Sequence, residues 1–167
     1  MGTINKTTAY INKFLTPQYF GYKKDDDTPD EVTIVASGVY QTYIPDTSNM
    51  TLFATDDFTY TIGTGEITYI GEGGYYDIDG SVSIGDIATP NSIVHFSICS
   101  EGSVVAEGSA KTETNTAVEN LSLNTFLTPF PLTTGDVLTI DIKSTQANGT
   151  TLNVFHVQGK IKLVKPI

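Results

Sequence analysis

"GYYDIDGSVSIGD", residues 74–86, puts Tyr76, Ile78, Val82 and Ile84 at one parity and Asp77, Asp79, Ser81 and Ser83 at the other. Alternation with a period of two is the pattern of a β-strand with one face buried and one face wet. The same texture runs outward from it in both directions, over "VTIVASGVYQTYI" (32–44), "TLFATDDFTYTI" (51–62), "EITYIG" (66–71), "SIVHFSIC" (92–99), "SVVAEGSAKTE" (103–113), "AVENLSLNTFLTPF" (117–130), "DVLTIDIKST" (136–145) and "TLNVFHVQGKIKLV" (151–164). Thr, Val, Ile, Tyr and Phe dominate these runs, as strands favour. Turn signals separate them at Gly63-Thr64-Gly65, Pro90-Asn91, Glu101-Gly102, Gly135-Asp136 and Asn148-Gly149. Asn-Gly between two such runs is the strongest short hairpin signal. No window carries a helical stripe with caps at both ends. The pattern predicts an all-β, two-sheet antiparallel sandwich of the jelly-roll kind.

Composition narrows the function. Only 17% of the 167 residues are charged, and 19 Asp and Glu against 9 Lys and Arg leave a net charge of −10. Nucleic-acid binding needs clustered cations to neutralise phosphate, so it is excluded as a partner class. The one small basic cluster is Lys160, Lys162 and Lys165 near the end. The lone Cys99, set in "IVHFSIC", reads as a small buried hydrophobe. No apolar run approaches the ~18 residues of a membrane span, so no membrane insertion is expected. The first residues lack the apolar stretch of a secretory leader, so the expected site of synthesis is a cytoplasm. The four N-x-S/T sequons, at Asn5, Asn49, Asn120 and Asn148, then carry no glycosylation signal.

Residues 1–31 differ from the rest. "YINKFLTPQYFGYKKDDDTPDE" mixes aromatics, Pro, Gly and a charge run without a sustained period. The expected organisation is an extended N-terminal arm and linker over residues 1–31 and a β-sandwich domain over 32–167. Tyr10, Ile11, Phe14, Leu15, Tyr19 and Phe20 crowd the arm with large apolar groups, which points to a docking role. "KKDDDTPDE" reads as a polar spacer, because Asp25 and Asp27 lack the remaining spacing of a calcium loop. In "TLNVFHV", Leu152 and Val154 fall on one side of a strand, Phe155 and Val157 on the other. A lone sandwich buries only its inner faces, so these four residues predict cover by a partner subunit.

No catalytic motif is present: no G-x-S-x-G elbow, phosphate-binding lysine loop or paired-cysteine site. His95 and His156 each sit among apolar strand neighbours with no third metal ligand in view. Asp77 and Asp79 lie ~7 Å apart on one strand face, within the range of a glycosidase pair. Nothing around them would raise one pKa above the other, and Ser81 and Ser83 continue the polar row. They read as a solvated face, and no catalytic, cofactor or metal residues are assigned.

From Glu66 onward the ordered series "GEITYIG", "YYDIDGSVSIGD", "VHFSICSEGSVVAEGS", "LTTGDVLTIDIKS" and "GTTLNVFHVQGKIKLV" resembles the small TNF/C1q-like jelly rolls of tailed-bacteriophage virion proteins. That resemblance covers roughly the last hundred residues. It implies a homotrimer without enzymatic activity or cofactor, assembled into a virion within the host cytoplasm. The role expected from it is a trimeric capsid head fibre or decoration protein whose arm grips the major capsid protein or another virion protein. The alternative is the receptor-binding tip of a tail fibre recognising a host surface glycan. The short segment before the β domain favours the first, since such tips follow a long shaft.

Overall fold

The computed structural model describes residues 19–45, 50–54, 56–87, 92–111 and 119–166. Among these residues there is no helix. Eleven strands are present: β1 (Tyr19–Thr33), β2 (Gln41–Thr42), β3 (Met50–Ala54), β4 (Phe58–Thr61), β5 (Glu66–Tyr69), β6 (Gly74–Ile87), β7 (Ile93–Ser100), β8 (Ser103–Lys111), β9 (Glu119–Leu132), β10 (Val137–Ser144) and β11 (Thr151–Pro166). They form two antiparallel sheets. The first runs β3-β1-β11-β6-β9, and the second runs β4-β5-β10-β7-β8. β10 pairs with β7 from Leu138 to Ser144. Its other edge is shared, with β5 against Val137–Leu138 and β2 against Asp141–Ile142. The expected jelly-roll sandwich is what forms.

The alternation that predicts β6 also sets its burial. Tyr76, Ile78, Val82 and Ile84 are buried against Phe96, Ile98, Leu138, Ile140 and Ile142 of the second sheet. Gly80 continues the inward row and lies opposite Gly159 of β11. The missing side chain has a purpose, because a methyl group there would lie 3.0 Å from Cε1 and 3.2 Å from Cζ of Phe96. The Phe96 ring thus rests directly on the β6 backbone and keys the two sheets together. One end of the sandwich is plugged by Phe58, Tyr69 and Tyr76, with ring centroids 5.1–5.8 Å apart. The Tyr76 hydroxyl donates to the Tyr69 oxygen at 2.8 Å, and the Gly73 N–H donates to the same oxygen at 3.0 Å.

Three expectations change. First, the boundary at residue 32 moves: the spacer "KKDDDTPDE" lies within β1, with Lys23, Lys24 and Asp25 opposite Gln158, Val157 and His156 of β11. The register slips between Asp25 and Asp30, where Pro29 has no N–H for the ladder. The strand resumes at Asp30, whose buried carboxylate accepts a hydrogen bond from the Tyr43 hydroxyl. Second, "VTIVASGVYQTYI" is not one strand. β1 stops at Thr33, and Gly38 at φ 73° turns the chain before the two residues of β2. Third, Val157 in the strand over residues 151–164 faces the core. A bulge between Val154 and His156 inserts an extra residue, so the inward row reads Leu152, Val154, then Val157, Gly159 and Ile161. Val157 is therefore on the same side as Leu152 and Val154, and all three are fully buried within the chain.

Candidate functional surface

The outward face of β9, β6 and β11 carries the polar row Asp77, Asp79, Ser81 and Ser83. Asp77 sits opposite Lys162, and Asp79 opposite Lys160. Oppositely charged residues directly across an antiparallel pair contribute roughly 0.2–1 kcal/mol each. The two aspartates are thus one column of a charge ladder, and the basic residues near the C-terminus are its other column. Neither strand's sequence reveals this, because the pairing joins segments eighty residues apart. On the far side of the aspartates, Phe126 of β9 lies opposite Asp79 and is 62% exposed. Tyr75 of β6 and Val164 of β11 add apolar surface at 37% and 44% exposure. Phe155, at the bulge, is half-buried. Of the four residues expected to meet a partner subunit, Phe155 alone keeps accessible surface. The signal that could have located this face is the single Phe at an outward position of "LSLNTFLTPF".

The expected arm residues divide. Tyr10, Ile11, Phe14 and Leu15 lie outside the described residues. Tyr19 and Phe20 open β1, opposite Lys162 and Ile161, and Phe20 also pairs with Ala54 of β3. The chain enters β1 at the end of the sandwich that holds Gly74 and Leu132.

The two histidines belong to different sheets and cannot share a ligand. His95 of β7 points out from the second sheet, where its Nδ1 lies 2.9 Å from Glu107 Oε1 of β8. Lys143 Nζ stands 3.8 Å from the other Glu107 oxygen and 4.2 Å over the Tyr40 ring. Burial first, then the Lys143 charge, hold the His95 imidazole below its ordinary pKa. Cys99 follows on the same face, fully buried, its thiol pushed up to about 11 by burial. A thiol held that high is not an activated nucleophile. Among the described residues no three His, Cys, Asp or Glu side chains converge as a metal site. A cavity of about 10 Å³ between the sheets is lined by Ile67, Ile78, Ile98, Leu138, Ile140 and Ile161. It is apolar and has room for about one water, too little for a ligand.

No protein-family model matches this sequence. No curated protein matches it either. Solved structures do. Eiger TNF from S. frugiperda aligns with a TM-score of 0.58 at 12% identity, covering 91% of this chain and 96% of that one. Murine APRIL, crystallised at pH 5.0, aligns with a TM-score of 0.54 at 13% identity, covering 89% of this chain and 100% of that one. Identity this low carries architecture and no more: the chain has the TNF-like jelly-roll fold.

Proposed function

We propose that this chain is a structural protein of a tailed-bacteriophage virion, a homotrimeric head fibre or decoration protein held to the particle by its N-terminal segment. The outward face of β9, β6 and β11 is the observation that carries the proposal. It sets a mostly exposed Phe126, with Tyr75 and Val164, beside aspartates whose cross-strand neighbours are lysines. Covering such a face takes its apolar groups out of water, and the opposite charges stand in register to pair. The ordered motif series from Glu66 onward supplies the virion context, and the acidic, charge-poor composition suits a displayed, non-catalytic module. β1 begins at the end of the sandwich that holds Gly74 and Leu132, so attachment through the residues before Tyr19 would hold the opposite end away from the particle.

Two measurements test this. Analytical ultracentrifugation should find a trimer at micromolar concentration, and Phe126→Asp should lower the association state without loss of the β-type circular dichroism. Burying an unmatched carboxylate at each contact would cost several kcal/mol, on the order of 3–5. A monomeric parent protein refutes the oligomer. Deleting residues 2–18, which stops short of β1, should leave a folded protein that no longer joins purified particles. Normal incorporation of that truncation would place the attachment surface on the sandwich instead.

A further inference from the structure

We infer that Asn148 is a latent self-modification site, a deamidation centre that the native loop clamp holds shut. Of the asparagines in the chain, only Asn148 is followed by glycine. A glycine there leaves its amide nitrogen unhindered toward the asparagine side chain. In the reaction, the Gly149 nitrogen bonds to Asn148 Cγ and the Cγ–Nδ2 bond breaks. Ammonia departs with the amide proton, leaving a cyclic imide. Water then opens the imide at either carbonyl, giving aspartate or isoaspartate. Water is the only co-reactant, and nothing is oxidised or reduced.

The fold both primes and blocks this chemistry. The Ser37 N–H donates to Asn148 Oδ1 at 2.7 Å, where negative charge would gather as the nitrogen attacks, and a donor so placed lowers such a barrier. The nucleophile, however, is turned away. The Thr150 N–H donates to the Ala147 carbonyl at 3.2 Å, and Gly149 adopts φ 83°. Asn148 is not among the residues at positive φ. This is the pattern of a type II turn, with ψ about +120° at Asn148, which leaves the Gly149 nitrogen roughly 120° from the side-chain carbonyl about the Cα–C bond. The Gly149 N–H is also committed to the Ile34 carbonyl at 2.8 Å. Around the turn, the Gly38 N–H reaches the Ser144 carbonyl at 2.8 Å and Ser37 Oγ reaches the Thr145 carbonyl at 3.1 Å. Ring closure therefore requires the 34–39 and 145–150 loops to part.

Once made, the product is not neutral to the fold. Residues 32–45 and 144–152 contain no charged side chain, so the new carboxylate is the first charge in either stretch. Isoaspartate also lengthens the backbone by one methylene, displacing the acceptor that Ser37 uses. A transient opening would become a permanent one, and Asn148 would record the age of each subunit.

The test follows conversion at Asn148 by peptide mass spectrometry in warm, mildly alkaline buffer. The guanidinium-unfolded chain should convert, and an unfolded Gly149→Ala chain should convert far more slowly. The native protein should react at least about tenfold more slowly than the unfolded one, since reaction waits on local opening. That slowing should match the native hydrogen-exchange protection of the Gly149 amide within about threefold. Gln41→Ala removes the bonds to the Val35 N–H (3.0 Å) and the Thr33 carbonyl (2.8 Å) that brace the 34–39 loop. It should speed conversion in a protein that still melts cooperatively. Equal rates in native and unfolded protein, an unfolded chain that spares Asn148, or slowing unrelated to the Gly149 exchange would each overturn the inference.

Discussion

Replacing Gly80 with alanine probes the contact that joins the two sheets. The added methyl would stand 3.0 Å from Cε1 and 3.2 Å from Cζ of Phe96, a fully buried ring. Carbon atoms pack without repulsion at about 3.5–4.0 Å, so the ring or a sheet must withdraw by a few tenths of an ångström. The ring has little freedom, with the β6 backbone below it and the core on its flanks. Overpacking of this kind costs about 1–3 kcal/mol. Loss of glycine's freedom in the unfolded chain returns about 0.4–1 kcal/mol. A net destabilisation of about 0–2.6 kcal/mol remains, centred near about 1.3, or a fall in Tm of up to about 10 °C for a domain of this size. Urea unfolding at fixed protein concentration, so that any association is held constant, would measure it. The decisive comparison is made in a Phe96→Leu background, where the smaller side chain vacates the clash. There the alanine should cost nothing or stabilise. If it costs the same in both backgrounds within about 0.5 kcal/mol, the Gly80–Phe96 contact is not what the glycine is for.

Two further outcomes are expected. Because the His95 imidazole is held below its ordinary value, the unfolded chain takes up that proton first as the solution is acidified. Its contribution to stability is full above about pH 6.5 and is lost as the pH falls through the lower native value. A plot of urea midpoint against pH should slope less below neutrality in His95→Gln than in the parent, and identical slopes would refute this. Cys99, buried and with its thiol pushed up to about 11, should resist iodoacetamide in the native protein at mildly alkaline pH and react on unfolding. Rapid native alkylation would contradict its placement.

The legible part of the fold was the part governed by local alternation. β5 and most of β6 follow runs in which inward and outward residues alternate step by step, as do the first four residues of β7 and β10. The glycines at positions 63, 65, 102, 135 and 149 take the positive φ their turn signals imply. What stayed hidden depends on partners distant in sequence. "KKDDDTPDE" has loop composition, yet most of it pairs with β11, because hydrogen bonding to a central strand outweighs the weak intrinsic preference of Lys and Asp. The slip at Phe155 reverses the facing of Val157, and a period-two reading carries straight across it. The Asp77–Lys162 and Asp79–Lys160 pairs follow from a register that no single segment encodes. The outward face was illegible for the same reason. Its apolar residues Tyr75, Phe126 and Val164 come from three separate strands.

β11 is the middle strand of the first sheet, flanked by β1 from the beginning of the chain and β6 from its centre. Its sixteen residues satisfy the backbone groups of both neighbours at once. Until this segment has emerged from the ribosome, β1 and β6 each lack that neighbour, and the nascent sheet stays split. Pairings at such sequence separation form late and slowly. A chain truncated before β11 would leave two open sheet edges of the kind that invite aggregation.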